Sequence, residues 1–310
     1  MTKISNLHFE DLSSSSNYLF EKKYIEDNPY ADTSHATLLY WWCLEQNAQI
    51  AVHNDNLCIQ STYPLENGEL SISLFGVNNI NDSLADIFSY QKQKNLPLGI
   101  HFTPAYTVEA IKDKANLRIE ENRDIAEYVM SIQEHALLEG ANFKRLRNKV
   151  SHFNKLSFAP KIEFSSYLID KDNIERTKFA IKKINASQKN DREKIEDIAI
   201  EKLLNLSNDF PITCYMLRHD TKVIAVGLVK EIASNTLNFC HIRYSSDYPD
   251  LFTYFFHLTC RYIHDNAKSY TQINIEQDLG IDGMRQHKLR MRPITLLKKY
   301  SVYPIDTTLY

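Results

Sequence analysis

Seven glycines in 310 residues constrain this chain more than any other feature. A loop that cradles a phosphate needs glycine, because only a residue without Cβ lets the backbone approach the ligand closely. The sequence contains no GxGxxG and no GxxxxGK(S/T), so neither Rossmann-type dinucleotide binding nor P-loop nucleotide chemistry is expected. Two of the seven, Gly280 and Gly283, fall in one polar stretch, Asn274 to Pro293, where they predict a tight backbone turn.

The remaining composition is that of an ordinary globular chain, 43% hydrophobic and 24% charged. Its length suits two medium lobes sharing an interface, at roughly 100–200 residues per domain. A net charge of −3 provides no global cationic field for a polyanion, although local basic patches still can. No run approaches the roughly 18 apolar residues of a transmembrane helix, so no integral membrane segment is expected. The opening MTKISNLHFEDLSSSSNY lacks the apolar core of a secretory signal. Cys43, Cys58, Cys214, Cys240 and Cys260 are odd in number, scattered and without a CxxC pair, which predicts reduced thiols and a cytoplasmic location.

Hydrophobic periodicity organises the chain. Ser13 to Ser16 reads as a polar connection, and Thr37–Gln46, with Trp41 and Trp42, as a short buried element. Alternation at Ala48–His53, Leu57–Thr62 and Leu70–Phe75 predicts strands, separated by turns at His53–Asn56 and Asn67-Gly68. A helix is expected over Ile80–Lys94, a strand over Leu98–Phe102, and a helix pair over Ser131–Leu156 interrupted near Gly140. The second half repeats this style. Helices at Ile174–Asn185 and Glu193–Leu206 precede strands at Thr213–Arg218, Val223–Lys230 and Thr236–Tyr244, then a helix at Asp250–Asn266 and a strand at Gln272–Ile275. The pattern is α/β of the mixed-sheet, α+β kind, divided near residue 155 into lobes 1–155 and 156–310 and compatible with two acetyltransferase-like copies.

Four constellations carry possible chemistry. Lys144-Arg145-Leu146-Arg147-Asn148-Lys149 puts four cations in six residues on a helix; it reads either as a phosphate-binding set or as a solvated face. In INIEQDLGIDGMRQHKLRMRP, Glu276 and Asp278 stand at alternate positions, followed by Arg285 and Lys288 on a short helix. One carboxylate there suits a general base and the other a cation-orienting group, or the set staples the turn to the body. His257-x-x-Cys260-x-x-x-His264 has metal-ligand residue types, but Arg261 in its midst repels a dication, so no metal is expected. Tyr244 to Asp250 joins a strand to a helix, with Asp247 or Asp250 as the cap and free N–H groups that suit an anion or oxyanion.

Glu127–Phe153 together with Ile273–Tyr300 resembles the C-terminal domain of phosphatidylglycerol lysyltransferases and its free-standing relatives. The matching residues are Tyr128, Lys144, Arg147 and Asn148, then Asn274, Glu276, Asp278, Gly280, Gly283, Arg285, Lys288, Pro293 and Tyr300, and the likeness spans roughly residues 20 to 305. The resemblance implies two GNAT-like lobes in tandem and an enzyme that moves an aminoacyl or acyl group. The donor would be aminoacyl-tRNA or a CoA thioester, and the acceptor an amine or hydroxyl on a small molecule or lipid, held in a cleft between the lobes. Glu276 or Asp278 would then orient or deprotonate the acceptor. Lys144, Arg147, Asn148, Arg285 and Lys288 would hold donor phosphates, and the junction of Tyr244, Ser245 and Asp250 would stabilise the oxyanion. That junction lacks the glycine-rich loop with which ordinary GNAT enzymes hold CoA. A ligand-binding module of the same fold without catalysis is the alternative.

Overall fold

A computed structural model describes residues 7–11, 28–31, 48–62, 70–112, 114–184, 191–205, 207 and 211–306 of the chain. The stretches 13–16, 37–46 and 67–68 that the sequence singles out lie outside the described residues.

The first half opens with β1 (Glu10–Asp11), β2 (Gln49–His53), β3 (Asn56–Ser61) and β4 (Ser71–Phe75). Asn54 and Asp55 join β2 to β3 with φ of 49° and 58°. Two successive left-handed residues make the type I′ turn that matches strand twist, and Asn and Asp tolerate that conformation. Helix α1 (Ile80–Gln93) then crosses to β5 (Ile100–Pro104), which lies parallel to β4, before α2 (Ala105–Ala110) and β6 (Leu117–Glu121).

The second half contributes β7 (Glu127–Ser131), α3 (Ile132–Leu137), α4 (Lys144–Asn154), β8 (Ile162–Leu168), α5 (Ile174–Lys183) and α6 (Asp191–Asn205). The antiparallel strands β9 (Ile212–His219), β10 (Lys222–Ala233) and β11 (Thr236–Tyr244) follow. Helix α7 (Leu251–Asn266) crosses to β12 (Gln272–Gln277), parallel to β11, just as α1 links β4 to β5. The chain ends in α8 (Asp282–Arg290), β13 (Thr295–Leu297) and β14 (Lys299–Pro304).

Two seven-stranded sheets result, ordered β1-β2-β3-β4-β5-β14-β6 and β13-β7-β12-β11-β10-β9-β8. The chain leaves the first sheet after Glu121 and returns to it only with β14, so sheet membership does not follow a single cut near residue 155. The last strand thus ties the two lobes together. Three apolar clusters fill the layers. One packs α1 on the first sheet, and another packs α3, α4 and α7 on the outer face of the second. The third lies between the sheets with α5 and α6.

One irregularity positions the site. Along β10 and β11, Leu228 pairs with His241 and Lys230 with Asn238, so β11 carries one extra residue there. Phe239 keeps to the α7 side, while Cys240 packs against the inter-sheet cluster and His241 pairs with Glu196 of α6. A bulge re-aims side chains in this way. Among the described residues, no helix is long and apolar enough to cross a membrane.

Candidate active site

Strand β12 pairs with β11 only from Gln272 to Asn274, opposite Thr236 to Asn238, and beyond that point the two parallel strands part. The cause is local. Glu276 has φ 60°, and its N–H donates to Asn274 Oδ1 at 2.7 Å instead of to a neighbouring strand. A left-handed residue other than glycine costs about 1–2 kcal/mol, and the contacts of Asn274, which is fully buried, hold it in place. Asn274 Nδ2 donates to Pro29 O at 3.0 Å and to Glu127 Oε2.

The two carboxylates singled out in sequence have different surroundings. Asp278 is fully buried and accepts Arg285 Nε at 3.0 Å, Arg123 Nη1 at 3.3 Å, Tyr128 OH, Gly280 N–H at 3.0 Å and Arg285 Nη2 at 2.9 Å. Burial alone would raise its pKa, but the Arg285, Tyr128 and Gly280 donors hold it below the usual carboxylate range. Gly280, at φ 72°, completes the turn where a Cβ would stand 3.0 Å from Asp124 Oδ2. Its oxygens are thus engaged by Gly280 and Arg285 of its own segment and by Arg123 and Tyr128 from outside it. Glu276 Oε1 instead takes a 3.4 Å hydrogen bond from Asn238 Nδ2. Burial pushes Glu276 up to about 7, against the opposing pull of Lys288.

Arg285 and Lys288 are likewise engaged within the protein. Arg285 spans Asp278 and Asp124, and Lys288 Nζ donates to the carbonyls of Ile275 at 2.6 Å, Glu276 at 3.1 Å and Gln277 at 2.6 Å. An ammonium has three N–H bonds, and Lys288 caps the end of β12 with all three. Burial draws its pKa down to about 8, with Glu276 opposing.

Sequence reasoning missed the groups around this strand end. Glu127 and Lys299 are fully buried with Oε1 and Nζ 2.5 Å apart, and Glu127 Oε2 also accepts Ala31 N–H at 2.6 Å. Burial pushes Glu127 up to about 7 and Lys299 well below its ordinary value. Lys230 is 3% exposed, and burial draws it down to about 7. Cys240, pushed up to about 12 chiefly by burial, lies within electrostatic reach of both Glu276 and Lys230. In sequence each of these reads as one polar residue of an alternating strand; only its depth betrays it.

The basic run does form a groove, on the outer side. Lys144, Arg145, Asn148, Lys149 and His152 of α4 line a cavity of about 520 Å³ with Asp250 and Arg292. Lys149 and His152 each reach Asp250 at 3.1 Å. Arg147 is turned away, donating to the carbonyls of Leu138 and, at 3.2 Å, Gly140. Asp250 precedes α7 at φ 57° without capping it by its side chain. The Ser245 N–H is engaged by Ile224 O at 2.8 Å, and Tyr244 packs against Phe252. The Tyr244–Asp250 junction therefore contributes to the groove through Asp250, not through Ser245. Helix α8 links groove and strand end: His287 contacts Phe252 and feels Lys149, while the next residue, Lys288, holds β12.

The sequence also marked His257, Cys260 and His264. Cys260 is buried in the core, whereas His257, which bonds the His135 carbonyl at 2.8 Å, and His264 line one outer hollow together with Arg261. Among the described residues no cluster of His, Cys, Asp and Glu is placed to hold a metal.

The architecture is shared widely. A conserved protein of unknown function from Bacteroides thetaiotaomicron has the same fold at TM-score 0.80 and 20% identity, over 96% of this chain and 99% of that one. The structure of L-PGS from Bacillus licheniformis matches at TM-score 0.61 and 11% identity, over 97% and 98% of the two chains. FemX matches at TM-score 0.57 and 10% identity, over 98% of each. No curated protein matches. The fold is thus a tandem of GNAT-like lobes. With residues 30–303 matching the family described as phosphatidylglycerol lysyltransferase, C-terminal, the chain belongs to that family.

Proposed function

We propose that the protein is an acyltransferase that moves an aminoacyl or acyl group from an aminoacyl-tRNA or a CoA thioester onto an amine or hydroxyl acceptor, with a lipid among the candidate acceptors. Glu276 carries this reading. It is a desolvated carboxyl poised near neutrality where two parallel strands part, and a base with a pKa near the working pH is the most effective proton acceptor. Glu276 takes the proton of the acceptor as it attacks the acyl carbon. The groove of Lys144, Arg145, Lys149 and Arg292 holds phosphate of the donor, and Asp278, Arg285 and Lys288 keep the strand end in shape. Membership of a lysyltransferase family and the fold shared with FemX support transfer of an aminoacyl group.

The test is Glu276→Gln, assayed for transfer of a labelled acyl group from each donor class to amine, hydroxyl and phospholipid acceptors. Loss of about 100-fold or more with the fold retained is expected. Undiminished turnover would remove Glu276 from the chemistry. Donor binding with no turnover in the wild-type protein would favour the ligand-binding module.

A further inference from the structure

The bulge in β11 brings His241 against α6, on the side of the second sheet where Glu276 lies. His241 Nδ1 is 2.8 Å from Glu196 Oε1, and Arg243 Nη2 is 2.8 Å from Glu196 Oε2, so the carboxylate is held from two directions. The imidazole is 3% exposed, and its Nε2 is buried without a hydrogen-bond partner. The buried Oδ1 of Asn238 is likewise unpartnered, although Asn238 Nδ2 reaches Asn274 O and Glu276. Buried polar atoms are almost always paired. Two unmatched atoms on the face that carries a desolvated carboxyl mark a place where a ligand supplies the partners. A carboxylate on Nδ1 settles the tautomer and leaves Nε2 as the position that exchanges protons.

We propose that Glu196 and His241 form the general acid of the transfer, with the imidazolium Nε2–H delivering a proton to the leaving oxygen of an ester donor. The proposal rests on the acyltransferase reading. The acceptor's lone pair bonds to the acyl carbon while Glu276 takes the acceptor's proton. The acyl C–O bond breaks, its electron pair stays on the leaving oxygen, and that oxygen takes the Nε2 proton. Solvent then reprotonates the imidazole and receives the proton from Glu276. The charged and titratable groups around His241 are Glu196 and Asp197 of α6, Arg243 and Cys240 of its own strand, Lys230 of β10 and Glu276 of β12. The acid–base division follows: Glu276 accepts and His241 donates. An alkoxide is a poor leaving group and needs the proton, whereas a thiolate, with a thiol pKa of about 8.5, leaves without it.

The experiment compares two donors carrying the same aminoacyl group, an adenosine ester and a pantetheine thioester, with wild type, His241→Asn, Glu196→Gln and Glu276→Gln. His241→Asn is expected to lower kcat for the ester by about 100-fold or more and to leave thioester transfer unchanged. Glu196→Gln should show the same donor preference, and it carries the test if His241→Asn fails to fold by circular dichroism. Equal losses on both donors, no loss on the ester, or a wild type that uses only the thioester would each overturn the proposal. A wild type inactive with both donors overturns the acyltransferase reading along with it. Loss confined to Glu276→Gln sinks the His241 role alone.

Discussion

Replacing Lys299 by methionine removes the cation from the tie between the lobes. Lys299 and Glu127 are fully buried and 2.5 Å apart, and the substitution leaves Glu127 Oε1 without its cation while Oε2 keeps Ala31 N–H and Asn274. Breaking a buried pair from one side costs about 3–5 kcal/mol, a large share of a total stability of about 5–15 kcal/mol. With a urea slope near the upper end of about 1–3 kcal/mol/M for a chain of this size, the unfolding midpoint should fall by between about 1 and 2 M. The deficit also depends on pH. Burial places Glu127 at about 7 in the folded chain against an ordinary 4.5. Losing the cation raises this carboxyl further in the variant, so the folded variant keeps to higher pH a proton that the unfolded chain has released, and its stability falls more as pH rises than that of wild type. The deficit relative to wild type should therefore be larger at pH 8 than at pH 5, read by urea unfolding with circular dichroism. Adding Glu127→Gln should recover much of it, because replacing both partners of a buried pair is often neutral. A deficit under about 1 kcal/mol at pH 8, or a double variant no more stable than the single one, would refute the reasoning.

Two further outcomes are expected. Gly280→Ala should destabilise by about 1–3 kcal/mol, since φ is 72° and the new Cβ would meet Asp124 Oδ2 at 3.0 Å; thermal melting checks it. Charge reversal at Lys144 and Arg145 should weaken donor binding and flatten its salt dependence, because fewer cations then meet phosphate; titration at two ionic strengths reads this, and an unchanged salt slope would place donor phosphate elsewhere.

Local order was legible because it depends on local chemistry. The Asn54-Asp55 turn, α4 with its buried Leu146, Val150 and Phe153, α7, and the Gly280 turn follow from residues adjacent in sequence. The family was legible in Asn274 to Pro293 for the same reason: the Asp278–Arg285 clasp and the Lys288 cap join residues within one short segment. What that segment does was not legible. Asp278 and Glu276 are equally acidic in sequence, and only the tertiary structure separates them: Arg123, from the turn before β7, and Tyr128 of β7 converge on Asp278, while Glu276 meets Asn238 of β11. The pairing of Glu127 with Lys299 joins residues far apart in the chain, and the return of β14 to the first sheet sets their depth. His241 meets Glu196 only because a bulge in β11 turns it toward a helix that precedes it by two strands. Periodicity reports which face of an element is apolar; burial of a charge, and hence its pKa, depends on which other element covers it, and that is decided by tertiary structure.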